Sequence, residues 1–192
     1  AVGATSTIVA KKFIDENIPL NENLAGLLLG AIVSDTMNFK SPTTTNVDKE
    51  VAKKLIEIAK VKPDELSKGM IEHSESWLSK RLIDLVYNDF KEFNINGFKV
   101  GLSQTICRNK EEYLKLEDKL ESYLEDACKS NGYDLMVTML TNPNGSGSYL
   151  VSAGSKKSSV YETFSHQMRE DFIKDLVSRK KQLLPSLIKA LS

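Results

Sequence analysis

Phe90-Lys91-Glu92-Phe93-Asn94-Ile95-Asn96-Gly97-Phe98-Lys99-Val100-Gly101-Leu102 is the stretch that decides what kind of fold this sequence builds. Phe90, Phe93 and Ile95 alternate with polar residues before Asn96-Gly97, and Phe98, Val100 and Leu102 alternate after it. Both central positions of a two-residue hairpin turn want positive φ, so Asn-Gly between alternating runs predicts a β-hairpin. Downstream, residues 109–130 read as a charged helix with Leu116, Leu120, Tyr123, Leu124 and Ala127 inward, and Gly132 ends it. Residues 133–140 and 149–153 read as buried strands around the turn segment 142–147, and a short apolar helix follows Ser178-Arg179-Lys180-Lys181. The second half of the chain is therefore a sheet with helices.

The first 70 residues have a different texture and read as helices. Residues 5–16 carry Ile8, Val9, Phe13 and Ile14 at helical spacing, with Thr5 or Ser6 as cap. Residues 21–33 are apolar on most of their circumference, which predicts a buried helix. A hydroxyl-rich segment, 34–45, separates it from an amphipathic helix over 48–60, capped by Thr45 or Asn46. Pro63 opens a short helix over 64–72. His73-Ser74-Glu75-Ser76 is the linker candidate, followed by a helix over 77–87. Helices first and strands later predict an α/β protein in two units.

A chain of 192 residues with 41% hydrophobic and 27% charged residues has enough apolar surface for a core. Its 26 basic residues balance 26 acidic ones, so no overall basic field points to nucleic acid or an anionic membrane. No apolar run approaches the roughly 18–20 residues of a membrane span, and no basic-then-apolar leader is present. Cys107 and Cys128 form neither a disulfide framework nor a CxxC pair, so a reducing cytoplasm is expected. The opening at Ala1 without Met suggests a fragment of something longer.

Four features bear on chemistry. Asp35 follows a buried helix inside the hydroxyl-rich loop. Such a carboxylate must be solvated, hydrogen-bonded or bound to a cation, and it reads either as a turn residue or as an oxygen ligand for a hard divalent metal. Ser178-Arg179-Lys180-Lys181-Gln182 is either a solvated charge run or an anion site in which Arg supplies paired donors and Lys a point charge. Lys91, on spacing alone, is an ordinary strand lysine. Residues 142–148 lack the ending of a phosphate-binding P-loop and read as a hairpin loop. His73 and His166 stand far apart, which argues against a zinc site or a Ser-His-Asp arrangement built from this chain alone.

Read as strings, three segments resemble the family II inorganic pyrophosphatases of the DHH superfamily. They are Ala1-Val2-Gly3-Ala4-Thr5-Ser6-Thr7-Ile8-Val9, then Gly30-Ala31-Ile32-Val33-Ser34-Asp35-Thr36 with Phe39-Lys40-Ser41-Pro42-Thr43, then Ser178-Arg179-Lys180-Lys181-Gln182 with Pro185. Lys91-Glu92-Phe93 is similar to the family's "KEF" lysine segment. The resemblance runs from Ala1 to Ser192 and identifies the chain as the C-terminal portion of such an enzyme. It implies residues 1–74 as the end of a parallel-sheet catalytic domain, 75–81 as a hinge, and 82–192 as a smaller mixed-sheet C-terminal domain.

The activity implied is hydrolysis of pyrophosphate to two phosphates with Mn²⁺ or Co²⁺, with Mg²⁺ alongside the substrate, in a cytoplasmic enzyme that is a homodimer at full length. Nucleic acid and membrane are not implied as partners. By resemblance Asp35 is a metal ligand, and Lys91, Arg179 and Lys180 are the phosphate-binding cations. No catalytic acid or base is assigned. An exopolyphosphatase-like phosphoesterase and a non-catalytic anion-binding module are the alternatives. The family's other metal ligands, its DxD pair and its DHH-type histidines, have no counterpart here, and Lys174-Asp175 departs from the family's small residue and glycine. This chain alone is therefore expected to be inactive.

Overall fold

Asn96 and Gly97 both take positive φ, 51° and 89°, the backbone that suits two right-twisted strands joined by two residues. β1 (Phe90–Ile95) and β2 (Phe98–Ile106) accordingly pair antiparallel, from Ile95 opposite Phe98 to Phe90 opposite Ser103. The structure, a computed structural model, describes residues 2–169 and 172–192, with the backbone alone at 168 and 169. The chain divides into two compact units, Ala1–Ser74 and Glu75–Ser192.

In the second unit α6 (Lys110–Asn131) carries the chain from β2 to β3 (Leu135–Thr141), which lies parallel to β2. A parallel neighbour needs a crossover of this kind. Asn109 caps α6 by accepting the Glu112 N–H at 2.9 Å, and Gly132 stops it at φ 66°. β4 (Gly147–Ala153) returns antiparallel to β3. β5 (Met168–Arg169) and β6 (Phe172–Lys174) complete a mixed six-stranded sheet in the order β1-β2-β3-β4-β6-β5. Its mixed character agrees with the expected fold class.

Every residue of β3 is buried, which its unbroken run Leu135-Met136-Val137-Thr138-Met139-Leu140-Thr141 requires of a central strand. Met136 and Leu140 pack with Leu116, Leu120 and Leu124 of α6, and with Leu85 and Val86 of α5 (Leu82–Tyr87). Leu135, Val137 and Met139 face the other way, toward Val160 and Phe164 of α7 (Lys157–Phe164) and Leu187 of α8 (Leu184–Ala190). Side chains alternate across a strand, so one central strand contributes to both cores. The sequence reading missed α7, whose start has no side-chain cap.

The helix expected over 77–87 is broken. Trp77–Ser79 forms a short 3₁₀ turn, and α5 starts afresh at Leu82. Glu112 anchors the start of this stretch. Its side chain is only 3% exposed and accepts the Ser76 hydroxyl at 2.5 Å, the Trp77 N–H at 2.9 Å and the Arg108 N–H at 2.7 Å. A carboxylate so buried needs several donors, and these bonds fasten residues 76 and 77 to the start of α6. The Trp77 indole N–H also donates to the Ile106 carbonyl at 2.9 Å.

The first unit consists, among the described residues, of α1 (Thr5–Asp15), α2 (Glu22–Asp35), α3 (Asn46–Ala59) and α4 (Pro63–Glu72). Ala25, Leu29, Ile32 and Val33 of α2 meet Val51, Ala52 and Leu55 of α3 in its core. The cap expected from Thr5 or Ser6 is absent: Ala4 is the N-cap and makes no side-chain bond. Asp48 replaces it, accepting from the Gly3 N–H at 2.8 Å, the Ala4 N–H at 3.3 Å and the Thr7 hydroxyl at 2.5 Å. It also accepts the Thr45 N–H and hydroxyl, each at 2.7 Å, in a capping box that starts α3. Burial alone would raise its pKa, but these hydrogen bonds prevail and hold the carboxyl well below the usual range. α2 is not buried all round: Leu27 stands 73% exposed, because α1, α3 and α4 cover its other faces.

Candidate anion-binding site

β6 leads into the segment that carries Ser178-Arg179-Lys180-Lys181-Gln182, and close backbone approach fixes where that segment runs. Gly147 begins β4 opposite Lys174 with φ 151°, and a Cβ there would lie 2.2 Å from the Ile173 carbonyl oxygen. Only glycine allows β6 so near. The buried Ser148 hydroxyl donates to the Leu176 carbonyl at 2.5 Å, holding the chain as it leaves the sheet.

The cation-rich segment itself is a single π turn, Arg179–Leu183, running directly into α8. Ser178 is its N-cap and accepts the Lys181 N–H at 3.2 Å, while the Leu183 N–H reaches back five residues to the Ser178 carbonyl at 3.2 Å. Gln182 folds over the start of the turn. Its Oε1 takes the N–H groups of Val177 and Ser178, both at 2.9 Å, and its Nε2 donates to the Asp175 carbonyl at 2.8 Å. Such turns are held against the regular helix only by added bonds of this kind.

Gln104 ties the turn to the sheet. Its Oε1 accepts the Arg179 N–H at 2.9 Å, and its Nε2 donates to the Val177 carbonyl and the Thr141 hydroxyl, each at 3.0 Å. The sequence reading did not single out Gln104. Its signal is the amide that follows Val100 and Leu102 on the inward face of β2.

Arg179 then lays its guanidinium across the end of the hairpin, with the side chain 12% exposed. Nη1 donates to the backbone carbonyl of Asp89 and, at 3.4 Å, to that of Leu102, and Nη2 lies 3.3 Å from the Asp89 carboxylate. Leu102 is the cross-strand partner of Lys91. Directly opposed residues share a face, and Gln104, two residues on from Leu102, holds the Arg179 N–H on that same face, so the turn that carries Arg179 meets the face of the β1–β2 pair to which Lys91 belongs. Lys91 is exposed, and Lys180 is exposed on the same turn as Arg179. This arrangement can oppose an anion with a fixed planar donor and mobile ammonium groups.

Asp35 belongs to the first unit, as the exposed last residue of α2. No described residue donates to its carboxylate, and partial burial raises its pKa. The chain beyond it is strained: Met37, Asn38 and Phe39 all take positive φ, 50°, 53° and 65°. Bonds from the Asn38 N–H to Val33 at 2.7 Å and from the Ser41 N–H to Thr36 at 2.9 Å hold the bend. The negative end of α2 disfavours an anionic side chain and favours a cation beside it. Among the described residues no three His, Cys, Asp or Glu side chains come together as a metal would require. Asp35 fits one position of a coordination shell, and the chain does not supply a shell.

The chain matches the DHHA2 domain over residues 68–190. It is 37% identical over 201 residues to a manganese-dependent inorganic pyrophosphatase of Methanocaldococcus jannaschii, an alignment covering 98% of this chain and 65% of that protein. It is 36% identical over 188 residues to a cobalt-dependent inorganic pyrophosphatase of Clostridium perfringens, covering 97% of this chain and 34% of the relative. A crystal structure from Methanococcus jannaschii, described as a family II inorganic pyrophosphatase, superposes with a TM-score of 0.78 at 36% identity, over 99% of this chain and 65% of that one. The chain thus spans between 34% and 65% of the length of these curated relatives and solved structures.

Proposed function

The chain belongs to the DHHA2 domain family, and we propose that it is the phosphate-binding part of an enzyme that hydrolyses inorganic pyrophosphate to two phosphates. The observation that carries the reading is the Arg179 guanidinium, fixed by backbone carbonyls on a turn that Gln104 holds to the face of Lys91. Similarity to manganese- and cobalt-dependent pyrophosphatases along nearly the whole chain supports it. Pyrophosphate is densely anionic, and cleavage leaves charge on the departing phosphate. Arg179, Lys91 and Lys180 would neutralise its oxygens with donors already in place, which is where fixed electrostatics lower a barrier most.

The full-length enzyme would use Mn²⁺ or Co²⁺, with Mg²⁺ alongside the substrate, and Asp35 would be one ligand among others that this chain does not contain. The metal supplies hydroxide from bound water and a template for the phosphoryl oxygens. We further propose a homodimeric cytoplasmic protein without nucleic-acid or membrane partners. Balanced charge, two free buried cysteines, and the lack among described residues of a helix long and apolar enough to cross a membrane support the compartment and the partners, while the homodimer rests on the family resemblance alone.

The domains would run from 1 to 74 and from 82 to 192, joined by a hinge at 75–81 whose moving part is narrower than that span. Ser74 is tied to Ile71 by its N–H at 3.2 Å and its hydroxyl at 2.8 Å, and Ser76 is tied to Glu112. The bonds around Glu75 are left to absorb a change in φ/ψ. Phosphate release by the full-length protein with Mn²⁺, compared on pyrophosphate and on long-chain polyphosphate, tests the reading. Faster turnover of polyphosphate would make it an exopolyphosphatase-like enzyme, and turnover of neither would leave an anion-binding module.

A further inference from the structure

Arg179 already has an anion. Its Nη2 faces the Asp89 carboxylate at 3.3 Å, while Nη1 is bound by the carbonyls of Asp89 and Leu102. The two kinds of partner differ in an important way. The Leu102 carbonyl belongs to the sheet and cannot leave, whereas the Asp89 side chain is 51% exposed and lies between Asn88, at the end of α5, and the first residue of β1. It is free to rotate into water. A carboxylate and a phosphate present the same pair of oxygens to a guanidinium edge, so an incoming phosphate competes for the position that Asp89 holds.

We propose that Asp89 is an internal stand-in for the anion, holding the Arg179 guanidinium aligned in the empty site and yielding its place when a phosphate group arrives. This rests on the anion-binding reading of Arg179. Asp89 is a positioning residue. It keeps an almost buried cation from standing uncompensated, which would be costly, and it sets a threshold that weakly charged anions do not cross. No bond is made or broken; one ion pair replaces another. Asp89 does not orient the guanidinium alone, because the two carbonyls persist when its charge is removed.

The experiment is calorimetric titration of inorganic phosphate, and separately of pyrophosphate, into this chain, its Asp89→Asn and Arg179→Ala variants, and the double variant. Thermal melts accompany each to show that they fold. Removing a half-exposed competitor should tighten both anions about two- to fivefold in Asp89→Asn. That gain should vanish in the double variant, since a cycle isolates the pairwise effect. Unchanged or weaker binding in Asp89→Asn, with binding still lost in Arg179→Ala, would overturn the stand-in while leaving the anion site intact. Binding that survives Arg179→Ala, or no binding by the unmodified chain, would overturn the anion site and the stand-in with it.

Discussion

Gln104 Oε1 accepts the backbone N–H of Arg179 at 2.9 Å, joining a residue of β2 to the first residue of a turn 75 positions later. The same amide donates to Val177 and Thr141, so one side chain bonds to three groups that water would otherwise have to serve. Replacing it with leucine leaves buried donors and acceptors unpaired, at a cost of about 2–3 kcal/mol. Gln104→Leu should therefore lower the melting temperature and weaken phosphate binding although no cation has been removed. Phosphate affinity equal to that of the parent chain would show that the turn does not depend on this clamp.

Asp48 makes the first unit sensitive to acid. Its folded carboxyl ionises well below the usual range, so in acid the unfolded chain takes up the proton first and unfolding gains. The stability it contributes is complete above about pH 4, the ordinary aspartate pKa, and is lost as pH falls through the folded value. Asp48→Asn should flatten that acid dependence. At neutral pH it should weaken hydrogen-exchange protection in α1 and α3 by about 2–4 kcal/mol. Protection in the sheet should not change.

Glu112 fixes where the chain can flex. Limited proteolysis should cut at residues 74–76 before any other site, since both neighbouring stretches are bonded into their own units. Glu112→Ala frees Ser76 and Trp77 and should extend the susceptible region to residue 81. Even cutting from 77 to 87 in the unaltered chain would contradict this placement.

How far the sequence speaks is plain at particular residues. The Asn96-Gly97 hairpin, the Asn109 and Gly132 ends of α6 and the unbroken apolar run of β3 depend on local chemistry, and each could be read directly. The anchoring of Ser76 could not, because its partner is Glu112, 36 residues away. Nor could the cap of α1, which comes from Asp48 across the first unit. In the site, Arg179 and Lys180 stand out as a charge run, whereas Gln104 and Asp89 act through contacts of 75 and 90 positions that no spacing rule reaches. Lys91 is legible only by resemblance; strand register with Leu102 and the Gln104 bond relate it to the turn of Arg179.

Asp35 alone is a poor metal site, since one carboxylate cannot replace a full shell of oxygens and imidazoles. Manganese titrated into this chain should bind weakly, with no measurable release of phosphate from pyrophosphate. Mn²⁺-dependent release that Asp35→Asn abolishes would show that these residues carry a working centre.

The most direct test of the central claim is the rate of phosphate release from pyrophosphate by the full-length, Mn²⁺-loaded protein, with and without Arg179→Ala. Loss of one fixed donor to the developing charge should lower kcat by about 10²–10³-fold, read on protein that a thermal melt shows to be folded, since the variant also leaves the Leu102 and Asp89 carbonyls without their donor. Unaltered kcat and KM in that variant would contradict the assignment of this turn to the substrate.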